Sequence, residues 1–255
     1  PEVDKDPIKI IFTPQHGTAN IPVKEVYTRA GYHFVAVEEQ CTPDPDFSMT
    51  PTPNPEEPAS YNLALEYAER EKADIILSCD PDADRMGVGV KHNGEYKLLT
   101  GNQSGAVLIE YIFSQLVAQN KMPANPVMFN TVVTSDLGEL VAKKYGVETE
   151  KTLTGFKFIG EKIKQWEADG KHTYLFGFEE SCGYLRGTHA RDKDAVVASM
   201  LCAEMVCNYT YIGKSVYGRL QELYAKYGTV LDKNVSVQYS GLNAMKEMRA
   251  GMSIP

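Results

Sequence analysis

Short apolar runs alternate with helix-length amphipathic segments along most of the 255-residue chain, and this alternation restricts the fold more than any other feature. Strands separated by helices pair in parallel and are wrapped by those helices, which is the α/β class. Strands are predicted over 8–12, 34–37, 74–78, 127–131, 148–152 and 173–178. Helices are predicted over 23–30, 61–72, 104–119, 137–145, 158–168, 194–211 and 216–227. Gly31 should end the first helix, and Ser135 or Asp136 should cap the helix over 137–145. Runs at 86–90 and 96–99 flank Asn93-Gly94, a hairpin signal. Between 42 and 58 the chain is too rich in proline for regular structure. An alternating segment, 235–239, and a short helix, 242–249, come last and are too small to hold a core of their own.

The formal net charge is -8 and no long basic run offsets it, which argues against nucleic acid or an anionic membrane as partner. An anionic small substrate needs only a few local Arg and Lys residues and stays open. No run of about 18 apolar residues occurs, so no membrane span is expected. Pro1-Glu2-Val3 reads as a chain already under way rather than as a signal peptide. Cys41, Cys79, Cys182, Cys202 and Cys207 are odd in number and lack CxxC spacing. They read as reduced, buried thiols of a cytoplasmic protein.

Directly after the apolar run at 74–78 stand Asp80, Asp82 and Asp84, followed by Arg85. Ligands bind at strand ends in open α/β sheets. Three carboxylates at this spacing repel one another, and a hard divalent cation relieves the repulsion. Magnesium suits an all-oxygen site with positions left for a phosphate oxygen. An EF-hand would need Gly and Glu where Arg85 and Lys91 stand, so that reading fails. A magnesium-dependent phosphatase of the haloacid-dehalogenase type also places two aspartates after an apolar strand, though with Thr or Val where Asp84 stands. A solvated acidic turn is the remaining alternative.

The strand predicted over 173–178 runs into Glu179-Glu180-Ser181-Cys182-Gly183. Carboxylates and a hydroxyl at a strand end suit the vicinal hydroxyls of a sugar; acidic residues in a helix first turn would look the same. Thr154-Gly155-Phe156-Lys157 is a strand-to-helix turn carrying a lysine. His189, Arg191 and Lys193 precede a long helix, where backbone N–H groups also favour anions. Taken singly, each basic residue also fits a surface ion pair.

Together these segments resemble the α-D-phosphohexomutase family, the phosphoglucomutases and phosphomannomutases, and the resemblance covers about 8–227. Pro53-Asn54-Pro55-Glu56 and Gly101-Asn102 are further similar landmarks. The resemblance implies two consecutive α/β/α domains with mixed, largely parallel sheets. It assigns 1–100 to domain II with its metal loop and 101–213 to domain III with its sugar loop. Residues 214–255 would be a linker helix and the start of domain IV. Domain I, which carries the phosphorylated serine, and the phosphate loop of domain IV are expected to be missing. Ser48, Ser78 and Ser181 are therefore not taken as nucleophiles.

The resemblance further implies that a phosphoserine passes its phosphoryl group to a hexose phosphate, and that a hexose 1,6-bisphosphate intermediate reorients and returns the other phosphate. Mg2+ would sit on Asp80, Asp82 and Asp84, with Arg85 contacting phosphate. Thr154, Gly155, Glu179, Ser181 and Arg191 would bind substrate. Arg85, Lys157, His189 and Lys193 are the catalytic candidates, and His16 could face the cleft or be structural. Glucose is the expected hexose, with mannose or another hexose as the alternative. A sugar-phosphate sensor without turnover is a competing reading from a different functional class.

Overall fold

The computed structural model describes residues 8–231, 239, 241 and 243–252. Its first sheet is built from β1 (Lys9–Thr13), β2 (His33–Ala36), β3 (Ile75–Cys79), β4 (Met86–His92) and β5 (Glu95–Leu99), in the order β2-β1-β3-β4-β5. The first three pair in parallel, and β4 and β5 are antiparallel additions. Asn93 and Gly94 both take positive φ, 51° and 85°, as the two-residue turn between β4 and β5 requires.

Side-chain alternation divides this sheet between two cores. Ile10, Phe12, Ile75 and Leu77 face one side, with Val23 and Tyr27 of α1 (Asn20–Ala30). Ile11 and Ile76 face the other, under Ala64, Tyr67 and Ala68 of α2 (Asn62–Glu71). Gly31 closes α1 in the left-handed conformation at φ 76°.

The second sheet has the order β7-β6-β8-β9, from β6 (Pro126–Thr131), β7 (Glu148–Thr152), β8 (Thr173–Glu179) and β9 (Gly183–Leu185). β6, β7 and β8 are parallel and β9 is antiparallel. The apolar helix α3 (Gly101–Ala118) and α4 (Leu137–Lys144) cover one face, and α5 (Phe156–Asp169) covers the other with Ile159 and Ile163 against Phe129. Both units are therefore α/β/α with mixed sheets; the second is largely parallel, while the first divides evenly, two pairings parallel and two antiparallel. The next helix, α6 (Ala195–Tyr211), packs on β3 and β4 as well as on β9, so one hydrophobic core runs through both sheets. No single helix among the described residues is long and apolar enough to cross a membrane, and the five cysteines are buried and free.

Several local expectations are corrected. Asp136 holds the N-cap position of α4 in an αR conformation, which turns its carboxylate away from the helix N–H groups, and it pairs with Lys151 at 2.7 Å instead. Helix α3 begins at Gly101, three residues before the predicted 104, because Thr100 and Gln103 form a reciprocal capping box. Helix α5 begins at Phe156 rather than 158, since Gly155 at φ 117° turns the chain sharply. Strand β9 has no counterpart among the predicted strands, since three residues are too few to show a period. The helix α7 (Val216–Tyr227) stands as predicted. The strand expected over 235–239 lies almost wholly outside the described residues, and α8 spans Ala244–Met252, against the predicted 242–249.

Candidate functional site: the aspartate loop and the Glu179 loop

The register of β3 carries Asp80 into the interior at the carboxyl end of the sheet, where its side chain is 1% exposed. Its Oδ1 accepts the backbone N–H groups of Asp84 (3.2 Å) and Arg85 (2.9 Å), and its Oδ2 accepts Nε of Arg85 at 2.6 Å. Ala83 at φ 62° folds the loop back on itself, and the Ala83 N–H donates to the Asp80 carbonyl at 3.1 Å. One carboxylate oxygen from each of Asp80, Asp82 and Asp84 lies within 4.8 Å of the others. A set of three hard oxygen donors fits a small divalent cation.

Burial pushes the Asp80 carboxyl up to about 6, against the opposing pull of the hydrogen bonds and charge of Arg85. Burial is the largest influence on the Arg85 cation and disfavours it, but the bond to Asp80 and the fields of Asp80, Asp84 and Glu56 together overcome it and raise the guanidinium pKa. Nη1 of Arg85 is held by Asn54 at 3.2 Å and Glu56 at 3.3 Å. The Asn54 and Glu56 contacts join segments about thirty residues apart, and the proline-rich composition around them hid this role.

Strand β8 delivers Glu179 to the same end of the second sheet. Glu179 is 4% exposed, and its Oε1 accepts the N–H of Gly155 at 2.8 Å. Glu180 turns away and accepts hydroxyls of Thr131 (3.0 Å) and Thr134 (3.1 Å), partners that no local pattern announced. Ser181 is half-buried in the turn, and Cys182 follows at φ 65°.

The two loops are stitched together. The Met86 N–H donates to the Cys182 carbonyl at 2.9 Å, and Arg85 forms an antiparallel bridge with Gly183. Nζ of Lys193 lies 3.0 Å from Asp84 and 3.8 Å from Glu179. Burial works against this ammonium, but the bond to Asp84 and the fields of Asp84, Glu179 and Asp192 overcome it and raise its pKa. The stem of Lys193 lies over Gly183, where an added Cβ would come within 2.9 Å of its Cγ.

Other predicted residues stand apart from this cluster. Lys157 is exposed, with Nζ 5.0 Å from the Phe158 ring centre. Thr154 is exposed beside it. Arg191 is exposed, donates to the Thr188 carbonyl at 2.7 Å and pairs with Glu167 on α5. Nε2 of His189 lies 2.8 Å from Asp194, whose other oxygen caps α6. His16 is buried, with Nδ1 2.7 Å from the Thr42 carbonyl.

Family models described as phosphoglucomutase/phosphomannomutase α/β/α domain II and domain III match residues 1–94 and 100–227. The chain belongs to the phosphoglucomutase/phosphomannomutase family. A phosphomannomutase of Mycoplasmoides pirum is 35% identical over 232 residues, covering 90% of this chain and 42% of its own. A phosphoglucomutase of Staphylococcus aureus is 34% identical over 253 residues, covering 98% and 45%. The chain thus spans less than half the length of these phosphohexomutases. Among solved structures, a putative phosphomannomutase from Thermus thermophilus aligns with a TM-score of 0.66 at 22% identity, covering 86% of this chain and 45% of its own. The Paramecium phosphoprotein parafusin, a phosphoglucomutase, aligns at 0.63 and 21%, covering 87% and 38%. These likenesses agree with the fold described above.

Proposed function

We propose that this chain forms the metal and sugar loops of a phosphohexomutase that interconverts glucose 1-phosphate and glucose 6-phosphate in the cytoplasm, through a phosphoserine and glucose 1,6-bisphosphate. In this proposal 1–100 and 101–213 act as domains II and III, and 214–255 leads toward domain IV. The observation that carries the reading is the position of Lys193 between Asp84 and Glu179. A single ammonium joins the carboxylates suited to a phosphate-binding cation to the one suited to sugar hydroxyls. Phosphate and hexose would then meet in one cleft.

Magnesium held by Asp80, Asp82 and Asp84 would neutralise charge on the phosphoryl group. Arg85, fixed by Asp80, Asn54 and Glu56, presents a positioned guanidinium to phosphate oxygens. Glu179 and Ser181 would hold hydroxyls of the hexose. Lys193 enters protonated and can give its proton to an oxygen of the sugar. Thr154, Gly155, Lys157, His189 and Arg191 are the candidates for holding the substrate's other phosphate.

The phosphoryl-carrying serine is assigned to a domain outside these residues. Ser78 is buried and bonded to Nε2 of Gln15 at 2.5 Å, and the Ser48 N–H is tied to Asp44.

Calorimetric titration with Mg2+, then glucose 1,6-bisphosphate, tests the reading alongside a coupled mutase assay. Weak Mg2+ binding that Asp82→Ala removes, weak or absent sugar-phosphate binding, and no turnover are expected. Robust interconversion of the two glucose phosphates by this chain alone would overturn the fragment reading. Binding of Mg2+ unaltered in Asp82→Ala would overturn the metal assignment.

A further inference from the structure

We infer that Gly17 is a positioning residue for the cation site, setting where Asp82 stands by direct backbone contact. The inference rests on the metal reading of the aspartate loop and extends it to a loop that the reading leaves unused.

Asp80 and Asp84 are each held by their own side-chain contacts. Asp82 is different: among the described residues no hydrogen bond or ion pair reaches its exposed carboxylate. Its place depends on the backbone, and the residue before it is Pro81. Strands β1 and β3 are parallel neighbours, with Thr13 beside Ser78. The loops that follow them therefore emerge side by side.

The contact between these loops is close. The Thr18 N–H donates to the Pro81 carbonyl at 2.8 Å, and the Thr18 hydroxyl donates to the same oxygen at 3.1 Å. A Cβ on Gly17 would lie 2.6 Å from that oxygen and 2.8 Å from the carbonyl carbon, with the Pro81 Cα closer still. Every one of these atoms is backbone, so no rotamer change can relieve the overlap. Gly17 does not itself adopt positive φ. An alanine there is conformationally permitted, and the requirement for glycine is one of space alone.

The loop is built to hold that approach. Gln15 and His16 both take left-handed backbone, at φ 46° and 63°, which is unfavourable for side-chain-bearing residues. Buried polar contacts fix them there. The Gln15 side chain donates to Ser78 at 2.5 Å, its N–H donates to Thr13 Oγ1 at 3.1 Å, and the His16 N–H donates to the Gln40 carbonyl at 2.8 Å. These contacts join β1, β3 and the segment after β2 into one base beneath Pro81.

The test is divalent-cation affinity of the 255-residue chain, with Mn2+ read by electron paramagnetic resonance and Mg2+ by calorimetry. Displaced supporting residues typically lower metal affinity by about 10- to 100-fold, and Gly17→Ala should fall in that range. Gly89→Ala serves as the overpacking control. Its Cβ would press on Leu98 and Ile76 at 3.1 and 3.3 Å, in the middle of the same sheet. It should lower the melting temperature and leave cation affinity unchanged. Folded Gly17→Ala with wild-type affinity, or an equal loss in both variants, overturns the inference. If Gly17→Ala does not fold, Thr18→Val decides: a severalfold loss supports the positioning role, and unchanged affinity refutes it. A wild-type chain that binds no cation refutes the metal reading itself, which is a separate result.

Discussion

Replacing Asp80 by Asn should strengthen the cation-free chain while abolishing its response to cation. The ionised carboxylate is buried, and its pKa is lifted from 3.8 to about 6. A rise of that size penalises the ionised form by about 3 kcal/mol at neutral pH. The asparagine would escape the penalty and keep an oxygen for the Arg85 N–H, but its amide NH2 would meet the Arg85 Nε donor, an unsatisfied pairing worth about 1 kcal/mol or more. The net gain is about 1–2 kcal/mol, or roughly 2–8 °C in melting temperature for a chain of this size. Thermal unfolding at about pH 7.5, where the carboxylate is ionised, followed by circular dichroism with and without Mg2+, reads both effects.

The same group gives opposite pH dependences with and without cation. Between pH 3.8 and about 6 the folded chain holds the Asp80 proton more tightly than the unfolded chain does. Its contribution to cation-free stability therefore grows as pH falls through 6 and is complete below 3.8. Cation binding needs the carboxylate, so stabilisation by Mg2+ should be full above about pH 7 and fade as pH falls through about 6. A lower melting temperature for Asp80→Asn without cation, or Mg2+ stabilisation retained in that variant, would refute the reasoning.

Three further outcomes are expected. Lys193→Met removes the ammonium that competes for Asp84, so Mg2+ should bind severalfold more tightly by calorimetry while glucose 1,6-bisphosphate binding, where measurable, weakens. In Gly101→Ala the new Cβ would overlap the Glu180 carbonyl and lie 2.7 Å from the Cys182 N. Overpacking of this kind costs about 1–3 kcal/mol, read as a lower urea midpoint, and should disturb the loop that carries Glu179 and Ser181. Arg219→Met on α7 strips a partner from Glu110, whose side chain is 1% exposed and otherwise contacts Lys144 and Tyr145. Because Lys144 and Tyr145 stay beside Glu110, the loss should fall short of the about 3–5 kcal/mol of a fully stripped buried charge, and adding Glu110→Gln should recover part of it in the same urea titration.

Much of the fold could be read locally. Local signals placed every strand of five or more residues in the described chain: apolar runs marked the buried strands and Asn93-Gly94 the β4–β5 hairpin, whereas β7 is largely exposed and carries no apolar pattern. Helix starts were less legible: the reciprocal Thr100–Gln103 bonds and the sharp turn at Gly155 are matters of atomic geometry that composition only hints at. Strand β9 is the clearest omission. It exists because Gly183 can lie flat beneath Lys193 and bridge Arg85, which are contacts between distant segments.

The candidate site divides the same way. Sequence alone determined the donor chemistry: three alternating carboxylates after a buried strand, and an acidic pair with a hydroxyl after another. Those are properties of residue type and local spacing, and they hold wherever the segments end up. Tertiary structure decided which of them meet. It turned Glu180 to Thr131 and Thr134, set Arg191 against Glu167, and left Lys157 in solvent. It also placed Lys193 between Asp84 and Glu179, residues more than ninety positions apart. A single charge reaches both loops because α6, which follows Lys193, is buried against both sheets.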